Sequence, residues 1–200
     1  LRLLLPEAYE VHRRIIAWDS HESADRIPDR ALGASWPTRR LMRFGLASWQ
    51  RVDFFNRYLA GTWLPRIELD LVPSLACAAH FVLLAPRVPQ GVDDFVAAGQ
   101  TVQRVWLAAT AESLWQQPEM TPLIFARYAR RGVRFTADTA LAARADTLAQ
   151  GLQTLIGPQA DRAVWMGRLG SGPAPTARSV RLPLPTLLAN PDQKNQVPTS

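Results

Sequence analysis

The residues best equipped for chemistry in this 200-residue chain are its arginines: of 23 basic side chains only Lys194 is a lysine. A guanidinium is permanently charged and donates through a planar fork, which suits bidentate contacts to phosphate or carboxylate that an ammonium cannot copy. Arg178 and Arg181 follow the glycine-rich run Gly167-Arg168-Leu169-Gly170-Ser171-Gly172-Pro173. Placed there, they read as a phosphate anchor, although any strand tolerates such a glycine-rich exit. The run Arg127-Tyr128-Ala129-Arg130-Arg131-Gly132-Val133-Arg134-Phe135 interleaves arginine with aromatics, as grooves for single-stranded nucleic acid do. It also fits the end of a helix, where cations complement the dipole and stay solvated, so nucleic acid is not expected as the partner.

Other chemistries find less support. His12, Asp19, His21, Glu22 and Asp25 fall in one short segment but match no ligand spacing of a helical pair or a metal loop, so no metal is assigned. No Gly-x-Ser-x-Gly elbow is present, and the single cysteine, Cys77, sits in an apolar run without an electropositive neighbour in sequence. Glu112 and Glu119 have no spacing that argues for paired acid/base work and read as surface carboxylates.

Elements must position these groups, and the composition says how many there can be. With 48% apolar and 20% charged residues the chain suits one folded domain or a large piece of one, not a disordered segment. One cysteine excludes an internal disulfide and fits a reducing, cytoplasmic setting. The longest charge-free apolar stretch, Leu71 to Pro86, is interrupted by Pro73 and is shorter than the roughly 20 residues that span a bilayer, so no membrane segment is expected. The chain opens at Leu1 without an initiator Met or a signal peptide, as a fragment with an upstream N-terminus would.

Periodicity then places the elements. A brief helix is expected from Pro6 to about Ile16, followed by a polar loop from Asp19 to Pro37. An amphipathic helix starts at Thr38, breaks near Asp53 and carries apolar residues on two faces, as a well-buried helix would, or one that also packs on a partner. Ile67 to Val72 alternates like a strand or an extended linker, and His80 to Ala85 reads as a strand covered on both faces. Asp93 and Asp94 open a central helix to about Leu114, with Phe95, Gly99, Val102, Trp106 and Ala109 as its buried stripe. Gln116 to Pro122 reads as a loop, followed by a helix stopped at Gly132, another from Asp138 to Ile156, and a strand from Arg162 to Leu169. The class is α+β, a helix-rich α/β arrangement.

This order of parts, with the helix Ala98-Gly99-Gln100-Thr101-Val102-Gln103-Arg104-Val105-Trp106-Leu107-Ala108-Ala109-Thr110, a Gln-Pro loop, a late strand and an Arg-x-x-Arg-Leu-Pro ending, resembles the C-terminal part of the FMN-dependent nitroreductase family. The stretches Phe55 to Thr62, Gln117 to Tyr128 and Gly170 to Pro173 are most similar to the nitroreductase-like domain fused to adenylating proteins of the ThiF/molybdopterin-biosynthesis type. The resemblance implies a mixed sheet flanked by helices, with the family's N-terminal part missing. Residues 1–70 would be a helical insertion, 71–188 the core and 189–200 a flexible tail. It further implies a homodimer binding FMN, with NAD(P)H as hydride donor. Gln117, Pro118, Glu119, Met120 and Thr121 would lie against the flavin ring, and Arg181 and Arg178 would hold its phosphate. The flavin would do the chemistry, so no side-chain acid or nucleophile is needed and no catalytic residue is assigned. The family's N-terminal basic motif and the Asn-containing segment after it are absent, and Met120-Thr121 stands where better-known members carry Glu-Gly. Those departures motivate the alternative of a degenerate, cofactor-free interaction module serving a ThiF-type adenylating protein.

Overall fold

A computed structural model describes residues 4–58 and 63–187 and shows helices packed on a small antiparallel sheet. The expected tail, 189–200, lies outside the described residues. Three strands form the sheet in the order β4 (Ala79–Leu84), β6 (Ala163–Gly170), β5 (Trp115–Pro118), with β6 central. Its register sets His80 opposite Arg168 and Gln117 opposite the same Arg168, so these three side chains share one face. Gly167, between Phe81 and Pro118, belongs to the other face.

Helices cover both faces. On the Gly167 face lies α6 (Val92–Ala111), with Trp106 against Trp165 at 6.0 Å between ring centroids. On the Arg168 face α7 (Met120–Arg130) and α8 (Thr139–Ile156) pack as an antiparallel pair, with Leu123, Ala126 and Leu152 buried against Met166. Local chemistry fixes the helix ends. The Asp94 carboxylate accepts from the Gln90 and Gly91 amides at the start of α6, which holds its pKa down at about 2. Asp138 caps α8 by accepting from Ala140 and Leu141, and Gly157, at φ 82°, ends it in a conformation that favours glycine.

The N-terminal segment is tied to this core. Leu5, just before α1 (Pro6–Ile15), is buried with Phe125, Leu141 and Ala145, while Tyr9 packs edge-on against Trp49 and donates to Leu46 O. The expected loop 19–37 contains two short strands, β2 (Glu22–Ser23) and β3 (Ile27–Pro28), and the start of α2 (Trp36–Gly45). β3 pairs in parallel with β1 (Ile16–Ala17), and β2 pairs in parallel with β7 (Arg178–Ser179), which fixes the backbone at Arg178. A polar sequence hides such pairing because the ladder uses backbone groups.

Other expectations are corrected. The helical break falls at 46–48, between α2 and α3 (Trp49–Tyr58), not near Asp53. Ile67–Leu71 is a π-helical turn, not a strand; it follows α4 (Trp63–Arg66) and runs into α5 (Val72–Ala76). Its Glu68 carboxylate accepts from Thr38 Oγ1 and the Ser35 amide, so tertiary partners override the alternating pattern. Gln116 to Pro122 is no loop: it divides between β5 and α7, because β6 offers the Gln117 region a hydrogen-bonding edge. β4 is only half covered, with both ends exposed. In α6 only Ala109 of the expected buried stripe is buried; Phe95 and Trp106 are exposed and Gly99 faces open space. One short sheet has too little surface to cover a 20-residue helix. α9 (Leu184–Leu187) closes the described chain.

Candidate functional site

Among the described residues Arg168 is the one buried arginine, 5% exposed on the central strand. A buried guanidinium is tolerable only when its donors and its charge are answered. Here Nε and Nη2 donate to Gln117 Oε1 at 3.1 and 2.6 Å. Nη1 donates to Ser74 Oγ at 2.8 Å, Glu119 Oε1 at 3.2 Å and Asp70 O at 3.3 Å, and Nη2 also donates to Leu69 O at 2.9 Å. The last two carbonyls come from the π-helical turn, whose loosened winding leaves carbonyls for an outside donor.

The network continues outward. Glu119 Oε2 lies 2.8 Å from His80 Nδ1, and His80 Nε2 lies 3.0 Å from Ser74 O and 3.3 Å from Cys77 Sγ. Both imidazole nitrogens thus face oxygens that only accept, an arrangement that favours the doubly protonated ring. Accordingly the hydrogen bond to Glu119, followed by that to the Ser74 carbonyl, holds the His80 pKa above its ordinary value, against burial and the Arg168 charge. Cys77, His80, Glu119 and Arg168 therefore form a chain of thiol, imidazole, carboxylate and buried cation.

Sequence reading misplaced two of these groups. Glu119 is not a surface carboxylate, since its side chain is 17% exposed and pairs with both Arg168 and His80. Cys77 does have an imidazole neighbour, His80, brought by the strand that starts two residues later. The signal available was the Cys77-x-x-His80 spacing, which alone cannot show the carboxylate arriving from the residue between β5 and α7.

The residues assigned to a flavin divide into two groups. The side chains of Gln117 and Glu119 are committed to Arg168, the Glu119 amide donates to Met166 O, and Met120 packs against the buried cluster of α7 and α8. Pro118 is exposed at the end of β5, and Thr121 is half-buried in the first turn of α7. Arg178 and Arg181 are exposed, and their guanidinium groups have no partner among the described residues. Two unengaged guanidinium groups suit the phosphate end of FMN. At the ring end the fit is poorer: the polar side chains are spent on Arg168, and what is offered is the Pro118 and Thr121 surface.

Most of the remaining candidates have local partners. Arg127 lies 4.4 Å over the Phe95 ring, Arg130 pairs with Asp161, and Arg131 donates to Pro89 O. Asp19 pairs with Arg43, and His21 Nδ1 lies 3.4 Å from Thr176 O. Among the described residues no three His, Cys, Asp or Glu side chains are grouped so as to hold a metal, and no helix is long and apolar enough to cross a membrane. In comparisons with known proteins, no family model, curated protein or solved structure matches the chain.

Proposed function

We propose that this chain is part of an FMN-dependent oxidoreductase of nitroreductase type, acting as a homodimer. A bound flavin would pass hydride from a nicotinamide donor to an acceptor. The observation that carries the reading is the pair Arg178 and Arg181, two exposed guanidinium groups without partners among the described residues. β7, paired with β2, fixes the backbone of Arg178, so part of the anchor is positioned before any anion arrives. The exposed apolar side chains of α6, Val92, Val96, Trp106 and Leu107, with open space at Gly99, supply a face on which a second copy could pack.

The test is binding of added FMN, followed by quenching of flavin fluorescence. Saturable binding is expected, and Arg181→Ala should weaken it by about tenfold, the loss of one charge-assisted contact of ~1.4 kcal/mol. A protein that leaves flavin fluorescence unchanged would sink the reading.

A second reading rests on two different observations. The Gln117 and Glu119 side chains are engaged internally, while α2, α3 and α4 expose Trp36, Phe44, Phe54, Tyr58 and Trp63. These favour a cofactor-free interaction module, for which a ThiF-type adenylating protein is the partner suggested by the sequence resemblance. Stable complex formation with such a protein, without flavin binding, would support it.

A further inference from the structure

Independently of flavin, we propose that Cys77 is an oxidative modification site whose thiol attacks a hydroperoxide with His80 as proton carrier. The groups stand in the order of nucleophile, imidazole and orienting carboxylate found beside reactive thiols and hydroxyls on unrelated folds. Sγ donates to Ser74 O at 3.2 Å and lies 3.3 Å from His80 Nε2, His80 Nδ1 lies 2.8 Å from Glu119 Oε2, and Arg168 with Ser74 Oγ holds the other carboxylate oxygen. Of the side chains facing the thiol and imidazole, the charged ones are Glu119 and Arg168. With a protonated His80 these sum to one positive charge beside the thiol. Access is open, because the His80 side chain is 44% exposed and Cys77 is half-buried.

The surroundings also choose between chemistries. Acyl transfer needs donors aimed at a developing oxyanion. Those nearby are spent: the Cys77 amide donates to Pro73 O, the Ala78 amide to Leu169 O, and the Arg168 guanidinium to Gln117, Ser74, Glu119, Leu69 and Asp70. Attack on a peroxide needs only a nucleophile and a proton for the leaving oxygen. The Sγ–O bond forms as the O–O bond breaks. The thiol is oxidised to a sulfenic acid and the hydroperoxide is reduced to an alcohol, or to water if it is hydrogen peroxide; the protonated ring gives its Nε2 proton to the departing oxygen, and the proton released by the thiol restores the ring.

Cys77 is the only cysteine, so every thiol adduct reports on it. Hydrogen peroxide is added to the native protein, sulfenic acid is trapped with dimedone, and the rate is followed by intact mass. One adduct is expected, forming about a hundredfold faster in the native than in the urea-unfolded chain, the low end of what a positioned proton carrier contributes. His80→Gln, at an exposed position, should bring the native rate down to the unfolded one; Glu119→Gln should slow it by several-fold. A native rate no faster than the unfolded one overturns the proposal without recourse to any variant, as does a folded His80→Gln protein that reacts at the wild-type rate.

Discussion

Arg168 keeps its charge out of water because Gln117, Glu119, Ser74 and two backbone carbonyls converge on it from separate elements. Gly167, its neighbour, permits that convergence. A Cβ there would meet Gln117 O at 3.0 Å, Trp165 Nε1 at 3.1 Å and Phe81 Cε1 at 3.3 Å. Gly167→Ala must push β5 away from β6 and should destabilise the protein by about 1–3 kcal/mol, read as a lower urea midpoint. His80 supplies a pH signature at the same scale. Its folded pKa is raised, so the stability it contributes is complete below the unfolded value of about 6.5 and is lost as pH rises through the folded value. Unfolding midpoints should therefore fall across that interval in wild type and not in His80→Gln.

At the scale of elements, helix termini were the legible part. Asp138 and Gly157 bound α8 where their side-chain chemistry says they should, and Gly132 follows the end of α7 at φ 61°. Asp94 gives a measurable consequence: its contribution to α6 should be complete above pH ~4 and lost as pH falls to about 2, seen by NMR titration of its carboxyl resonance. The faces of elements were less legible. The stripe through Phe95, Gly99 and Trp106 is apolar in sequence, yet open at Gly99. Gly99→Ala should leave the single chain intact or stabilise it by up to ~1 kcal/mol, since a Cβ there meets nothing. Gly99→Leu should instead dissociate a dimer built on that face, as light scattering would show by a halved mass.

Across the whole molecule, the N-terminal segment and the sheet domain share one core through Leu5. Leu5→Ala should cost about 2–5 kcal/mol and lower a single unfolding transition, because the cavity opens among Phe125, Leu141 and Ala145 of α7 and α8. Two separate transitions in calorimetry would show that residues 4–58 fold apart from the rest.

Patterns of local origin, a capping carboxylate, a stopping glycine, a 3.6-residue period or a run of β-formers, determined α1, α6, α7, α8, β4 and β6 from sequence alone, because each depends on residues within a few positions. Long-range pairing was decided only by the tertiary structure. Gln117 becomes strand because β6 lies beside it, Glu68 joins a π-helical turn because Thr38 and Ser35 reach it, and β2 exists because Arg178 returns to pair with Glu22. The thiol–imidazole–carboxylate chain belongs to the same class. Cys77 and His80 are near in sequence, but Glu119 and Arg168 come from two other elements, and no local pattern encodes the register that sets His80 opposite Arg168.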